Sequence, residues 1–400
     1  MSFRVSTNQL FSQNLSSIMR QQQQSINTQQ QLSTGQKLIT ADDDPLAAVR
    51  LLGIERNIDK IQQFQRNADA ANMRLNLEEE AIDSSINVIQ RVRDLALKGI
   101  NASNDNEARL LISQEVEQQL SNMLQLANSK DGNGDYIFSG FQGETKPFTQ
   151  GSEGITYEGD QGQRLIKISS TLMLEDSDPG DAVFMDIEQG NGQFFTSANA
   201  ANTGTGLIDE GVLKEPTTWG QRSYTIQFTS PTSYDVLDDT ATVISSGTYT
   251  EAGMISVSGT EVSIKGQPQT GDEFQLDPSR AESIFEAMLQ LQNVLGTPQL
   301  NDVERAAMIN TINHSLSSFD RGIENLNEYQ TSVGIRLNEV DRQKSANESA
   351  NFNYQGLQSE LKDVDYAEAI TRFNRQLLAL QAAQQSFTKM QGISLFNYIN

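Results

Sequence analysis

Chemistry in a polypeptide needs particular side chains within reach of one another, and this sequence offers few. It has one histidine, His314, and no cysteine. That removes thiol catalysis, disulfides and cysteine-ligated metals together. It leaves little for histidine base catalysis, which also needs an orienting partner. His314 falls between Ile312 and Leu316 of a helical pattern, where the spacing turns it to solvent. Asp131, Asn133 and Asp135 imitate the start of a calcium loop. Tyr136 then stands where that loop needs glycine, and Gln142 where it needs a bidentate glutamate. The segment reads as a tight turn between a helix and a hairpin. The acidic runs Glu78-Glu79-Glu80 and Asp42-Asp43-Asp44 are paired with no nucleophile, and read as solvated faces or caps. No glycine loop of phosphate-cradling spacing occurs. Trp219 reads as a core or edge residue of a β module, since tryptophan is mostly buried. The sequence thus predicts no catalytic residue, no cofactor site and no metal site.

The elements that would position any site divide the chain in three. Six of the 8 prolines lie from Pro147 to Pro278, and 20 of the 28 glycines from Gly132 to Gly271. Proline breaks helix interiors and glycine weakens them, so the flanks are free to be helical and the middle is rich in turns. From Ile309 the apolar positions run Ile309, Ile312, Leu316, Phe319, Ile323, Leu326, then Gln330, Val333, Leu337 and Val340. The steps alternate three and four, a heptad seam of long helices, and the stretch is a rod of roughly 50 Å. Shorter stripes are Ile284–Met288–Leu291–Leu295, stopped by Gly296 and Pro298; Ile112–Val116–Leu120–Met123–Ala127; and Ile82–Ile86–Ile89–Val92. One helix opens at Asp44-Pro45, where Asp44 caps, Pro45 suits the first helical position and the carboxylates face the positive helix end. In the middle, Ile155–Tyr157, Arg164–Ile168, Ser223–Phe228 and Met254–Ser258 carry strand signals. Residues 190–206, rich in glycine and asparagine, read as a loop. The expected class is mainly α with a β insertion. Residues 1–40 and 365–400 are a terminal coiled coil, 41–150 and 278–364 a helical bundle with a hairpin, and 151–277 a mainly β outer domain.

The two chain ends carry weaker stripes. One is Phe11, Leu15, Ile18, Gln22, Ser25, Gln29, Leu32; the other is Tyr366, Ile370, Phe373, Leu377, Leu380, Gln384, Phe387. A lone helical pair with glutamine in its seam buries too little to offset the entropy of ordering it. Two readings stand: a weak coiled coil within one chain, or tails that order when neighbouring copies surround them. Charge narrows the partners. With 29 Lys and Arg against 52 Asp and Glu the net charge is −23, which argues against nucleic acid and against an anionic membrane surface. No apolar run suits a membrane span, and the first residues carry no secretory signal pattern.

Several stretches resemble one family. Leu32-Ser-Thr-Gly-Gln-Lys-Leu-Ile-Thr-Ala-Asp-Asp-Asp-Pro-Leu-Ala-Ala48 is similar to the N-terminal signature of bacterial flagellins and their relatives. Its Asp-Asp-Pro form looks like that of the hook–filament junction branch. Asn128-Ser-Lys-Asp-Gly-Asn-Gly-Asp-Tyr-Ile-Phe-Ser-Gly-Phe141, with Thr145-Lys-Pro-Phe148, resembles the segment leading out of the family's helical domain. Val333-Gly-Ile-Arg-Leu-Asn338 and Asp363-Val-Asp-Tyr-Ala-Glu-Ala369 resemble its C-terminal helices, and the Tyr398-Ile-Asn400 end fits the junction branch better than flagellin itself. The resemblance covers about residues 1–150 and 280–400 and is weak across 151–277. It implies a structural, non-enzymatic protein of the extracellular flagellum, exported through the flagellar type III channel without a cleaved signal. It implies a ring of copies between the first junction protein and the flagellin filament, and a cytoplasmic export chaperone on the C-terminal region. Phe11, Leu15, Ile18, Leu32, Ile370, Phe373, Leu377, Leu380 and Phe387 then become the expected assembly and chaperone interface. The alternatives are a flagellin filament subunit, or a rod-borne adhesin binding glycans through Trp219 and Tyr224.

Overall fold

A computed structural model describes residues 7–152 and 154–396; the Tyr398–Asn400 end lies outside them. In chain order the helical start is α1 (Thr7–Thr34), α2 (Pro45–Ile100) and α3 (Asn106–Ala127). Then come β1 (Phe148–Gly151), β2 (Gly154–Tyr157), β3 (Leu165–Lys167), β4 (Met173–Glu175), α4 (Gly180–Phe184), β5 (Ile187–Glu188), β6 (Phe194–Ala198), β7 (Leu207–Ile208), β8 (Val212–Leu213) and α5 (Pro216–Trp219). The strands continue as β9 (Tyr224–Ser230), β10 (Ser233–Leu237), β11 (Val243–Thr248), β12 (Met254–Val257), β13 (Thr260–Lys265), β14 (Glu273–Pro278) and β15 (Ala281–Glu282). The helices α6 (Ile284–Gly296), α7 (Asp302–Lys362) and α8 (Tyr366–Phe396) close the chain. The architecture is mainly α with a β-rich insertion. Residues 67–343 form one compact unit, and 1–66 with 344–400 the other.

In the 67–343 unit the helices start where their caps dictate. Asp105 accepts the Ala108 N–H at 2.8 Å before α3, and Ser283 accepts the Phe285 N–H at 3.2 Å before α6. Each such cap satisfies an N–H that the helix itself leaves free. The apolar stripes of α2, α3, α6 and α7 meet in one core with the Phe138, Phe148, Phe184 and Phe285 rings. Phe138 and Phe184 stack edge-on at 5.2 Å. Along α7, Ile312, Phe319, Leu326, Val333 and Val340, one per heptad, are buried. The alternate members Ile309, Leu316, Ile323 and Leu337 are half-buried against the same core.

The insertion has its own core. Five antiparallel strands run in the order β11-β10-β9-β14-β6, and a smaller sheet runs β12-β13-β7, with β8 also on β13. Phe194, Trp219, Tyr224, Phe228 and Phe274 fill the space between them. Trp219 packs 5.2 Å from both Phe194 and Tyr224, ring centre to ring centre. The expected loop over 190–206 contains a strand, β6. The turn glycines Gly190 and Gly192 have positive φ and precede a Phe-Phe-Thr-Ser-Ala run that pairs with β14. Composition over the whole stretch masked the strand inside it.

Two expectations about charged side chains fail. His314 does not face solvent: it is half-buried, 3.6 Å from the buried Glu282 of β15, with the Phe195 ring 5.7 Å away. The heptad pattern gives that face of α7 no helical partner, and the insertion covers it instead. Glu78 is not on a solvated face but 0% exposed. It lies one turn before Ile82 on the inward side of α2, where residues four apart share a face.

Candidate functional site: the paired chain ends

The 1–66 and 344–400 unit is built on α1 lying along α8. Both helices begin or end at the same crossing. The Lys37 N–H donates to the Lys362 carbonyl at 2.6 Å, and the Val364 N–H to the Gly35 carbonyl at 3.0 Å. Gly35 has φ +72°, and a Cβ there would meet the Tyr366 hydroxyl at 3.0 Å. Both the left-handed backbone and the close ring call for glycine. Asp365 then caps α8 by accepting the Ala367 and Glu368 N–H groups. On the other strand of the crossing, Asp43 accepts the Ile39 and Thr40 N–H groups. The Thr40 bond is the largest influence holding the Asp43 carboxyl below the usual range. Asp44 accepts from Leu46 and Ala47 and caps α2, whose first residue is Pro45.

Between the helices the seam is small and polar. Ser25, Thr28 and Ala369 are its buried members, and Arg372 of α8 donates to the Gln31 side chain of α1 at 3.0 Å. The larger apolar residues straddle this seam rather than fill it. Ile18, Leu32, Phe373, Leu380 and Phe387 are half-buried. Phe11, Leu15 and Ile370 are 43%, 38% and 49% exposed, with Leu377 also exposed. Phe11 meets Phe387 at 5.0 Å between ring centres, so the two stripes touch at that end. The sequence put Ser25 on the α1 stripe but missed Thr28 and Ala369, because apolar spacing, not small size, was the signal followed. Small side chains let two helices approach, and that pushes larger neighbours outward.

Elsewhere the chemistry-bearing residues do not converge. Among the described residues no three His, Asp or Glu side chains are grouped to hold a metal ion, and no helix is long and apolar enough to cross a membrane. Asp131 anchors the turn it opens, its carboxylate accepting the Asn133 and Asp135 N–H groups. Trp219 and Tyr224 are buried, which withdraws them as glycan contacts.

Helical arms from the two ends of a chain, joined at one crossing and separated in sequence by an inserted β module, define the flagellin class of axial proteins. The N-terminal helical region of bacterial flagellin matches residues 5–143, and its C-terminal helical region residues 316–399. The crystal structure of Xanthomonas campestris FlgL is 31% identical, with a TM-score of 0.74, covering 76% of this chain and 99% of that one. The flagellar junction protein FlgL of Legionella pneumophila is 29% identical with a TM-score of 0.69, over 80% and 100% of the two chains. Flagellar hook-associated protein 3 of Escherichia coli K12 is 22% identical over 393 residues, 98% of each chain. This chain belongs to the flagellar hook-associated protein 3 (FlgL) family.

Proposed function

We propose that the protein is a structural subunit of the bacterial flagellum that forms the ring joining the hook to the flagellin filament. The observation that carries this is alignment over 98% of the chain with a flagellar hook-associated protein 3, on a fold whose terminal pair leaves Phe11, Leu15, Ile370 and Leu377 uncovered. Large apolar side chains on a thin helical pair favour burial by neighbours, each contributing roughly 1.5–3 kcal/mol when fully covered. The neighbours are copies of the same chain within the ring, the first junction protein on the hook side and flagellin on the filament side. Before assembly a cytoplasmic export chaperone covers the α8 stripe, as an amphipathic helix fits a groove. The protein reaches the extracellular flagellum through the flagellar export channel without cleavage of a signal peptide. No enzymatic step enters this reading.

Immunogold labelling of intact flagella tests it. A single band at the hook–filament boundary is expected. Label along the whole filament would favour a filament subunit, a reading that rests on the same two helical-region matches named for flagellin. Removing the gene should leave hooks without filaments.

A further inference from the structure

A densely charged volume lies inside the 67–343 unit, where residues 176–180 thread between helices with every side chain buried. Three arginines answer three aspartates there. Arg74 of α2 donates to Asp131 at 2.7 Å, and Arg164 to Asp176 at 2.7 Å. Arg336 of α7 donates to Asp178. Glu78 is the fourth carboxyl, and no arginine hydrogen-bonds it, although the buried Nε atoms of Arg74 and Arg336 also have no hydrogen-bond partner. Its Oε1 accepts the Asp178 N–H at 2.9 Å, and its buried Oε2 receives no N–H or O–H donor. Tyr329 of α7 feels the Asp178 charge together with those of Asp186, Asp181 and Glu328, acids that supply no compensating positive charge. An ionised Glu78 would therefore be a buried charge beside the Asp178 carboxylate with no hydrogen-bonded counter-ion of its own, a costly state that proteins avoid by keeping the proton.

We infer that Glu78 is a carboxylic acid in the folded protein, its Oε1 accepting the Asp178 N–H, and that its proton locks residues 176–180 onto α2 and α7. Burial first, then the Asp178 charge, hold the Glu78 carboxyl well above the usual range, with Arg336 and the Asp178 N–H acting in the opposite direction. The unfolded chain releases this proton near pH ~4.3, whereas the folded chain keeps it. The stabilisation is thus complete below that value and declines as pH rises toward the folded group's own titration. For one linked proton the folded-to-unfolded ratio falls up to tenfold per pH unit across the window. Beyond the window the two carboxylates repel, and the segment lifts from α2.

The test uses the full chain and Glu78→Gln, compared by denaturant unfolding from about pH 5.5 to 9. Wild type should show one proton more of pH dependence than the variant. Folded wild type at neutral pH should also show an infrared C=O stretching band of a protonated carboxyl, absent in Glu78→Gln. Equal pH slopes, or no such band in wild type, overturn the inference. If the variant does not fold, wild type alone decides. Its band should fade with rising pH together with loss of hydrogen-exchange protection at the Asp178 N–H, and fading without loss of protection overturns the lock.

Discussion

The 309–340 stretch of α7 and the facing turns of α1 and α8 follow the same three-and-four spacing, yet they bury different things. On α7 the inner line is Ile312, Phe319, Leu326, Val333 and Val340, closed by three other helices. On the terminal pair the inner line is Ser25, Thr28 and Ala369, and the large residues sit outside it. Apolar periodicity reports that a helix has a packing face, not how many partners that face has. A bundle of four supplies enough covered area for independent stability, and a pair of helices does not.

The largest expected effect is that of Leu326→Asp, which buries a charge without a partner and should cost about 4 kcal/mol or more by thermal or denaturant unfolding. A loss below about 1 kcal/mol would mean that the α7 line does not carry the bundle. Next, Leu377→Ser with Leu380→Ser should leave the melting of the bundle unchanged. The same double variant should weaken chaperone binding by roughly a hundredfold or more by calorimetric titration, and block filament attachment. Unchanged affinity would move the chaperone to another surface. Amide exchange on the free monomer then ranks the two regions directly. Helices α3 and α6 should be strongly protected, and α1 and α8 should exchange orders of magnitude faster. Equal protection would erase the contrast drawn above.

The smallest effect belongs to His314→Ala, about 1 kcal/mol near neutral pH, because a half-buried ring leaves Phe195 and Glu282. Its electrostatic part should be present above about pH 4.3 and shrink as the solution is made more acid. Burial alone would raise the Glu282 carboxyl, but hydrogen bonds from His314 and Ser318 and the His314 charge outweigh it and bring it below the usual range. A depressed folded value contributes stability above about pH 4.3 that is lost as pH falls through it. Removing His314 should flatten that acid limb in unfolding titrations, the wild-type and variant stabilities converging as pH falls.

Much of the scaffold was legible because single residues carried it. Asp44-Pro45 marked the start of α2, Gly296 with Pro298 the end of α6, and the Ile309–Val340 spacing one long helix. The β module showed in Ile155–Tyr157, Ser223–Phe228 and Met254–Ser258. What stayed hidden depended on contacts far apart in sequence. Glu78 reads as surface until Asp178 and Arg336, at least 100 positions away, are brought beside it, although extending the Ile82–Ile86–Ile89 stripe back one turn would have landed on it and a second turn on Arg74. His314 reads as exposed until β15 and β6 are laid over its face of α7. The terminal seam was hidden for a different reason, since serine, threonine and alanine carry no apolar signal.

The two-strand ribbon of β5 and β15 pairs Ile187 with Glu282 and Glu188 with Ala281, and the Gln189 N–H donates to the Arg280 carbonyl at 3.0 Å. Everything from residue 189 to 280 therefore leaves and returns through one narrow neck. Loop-closure entropy grows only slowly with length, so the chain beyond that neck can change length at little cost wherever the contacts of Phe195, Gly206 and Ile208 with α7 are kept. A lineage could enlarge, shrink or exchange the appendage by recombination without retuning a single contact among the helices. The same neck is a port where a foreign domain with adjacent termini could be grafted.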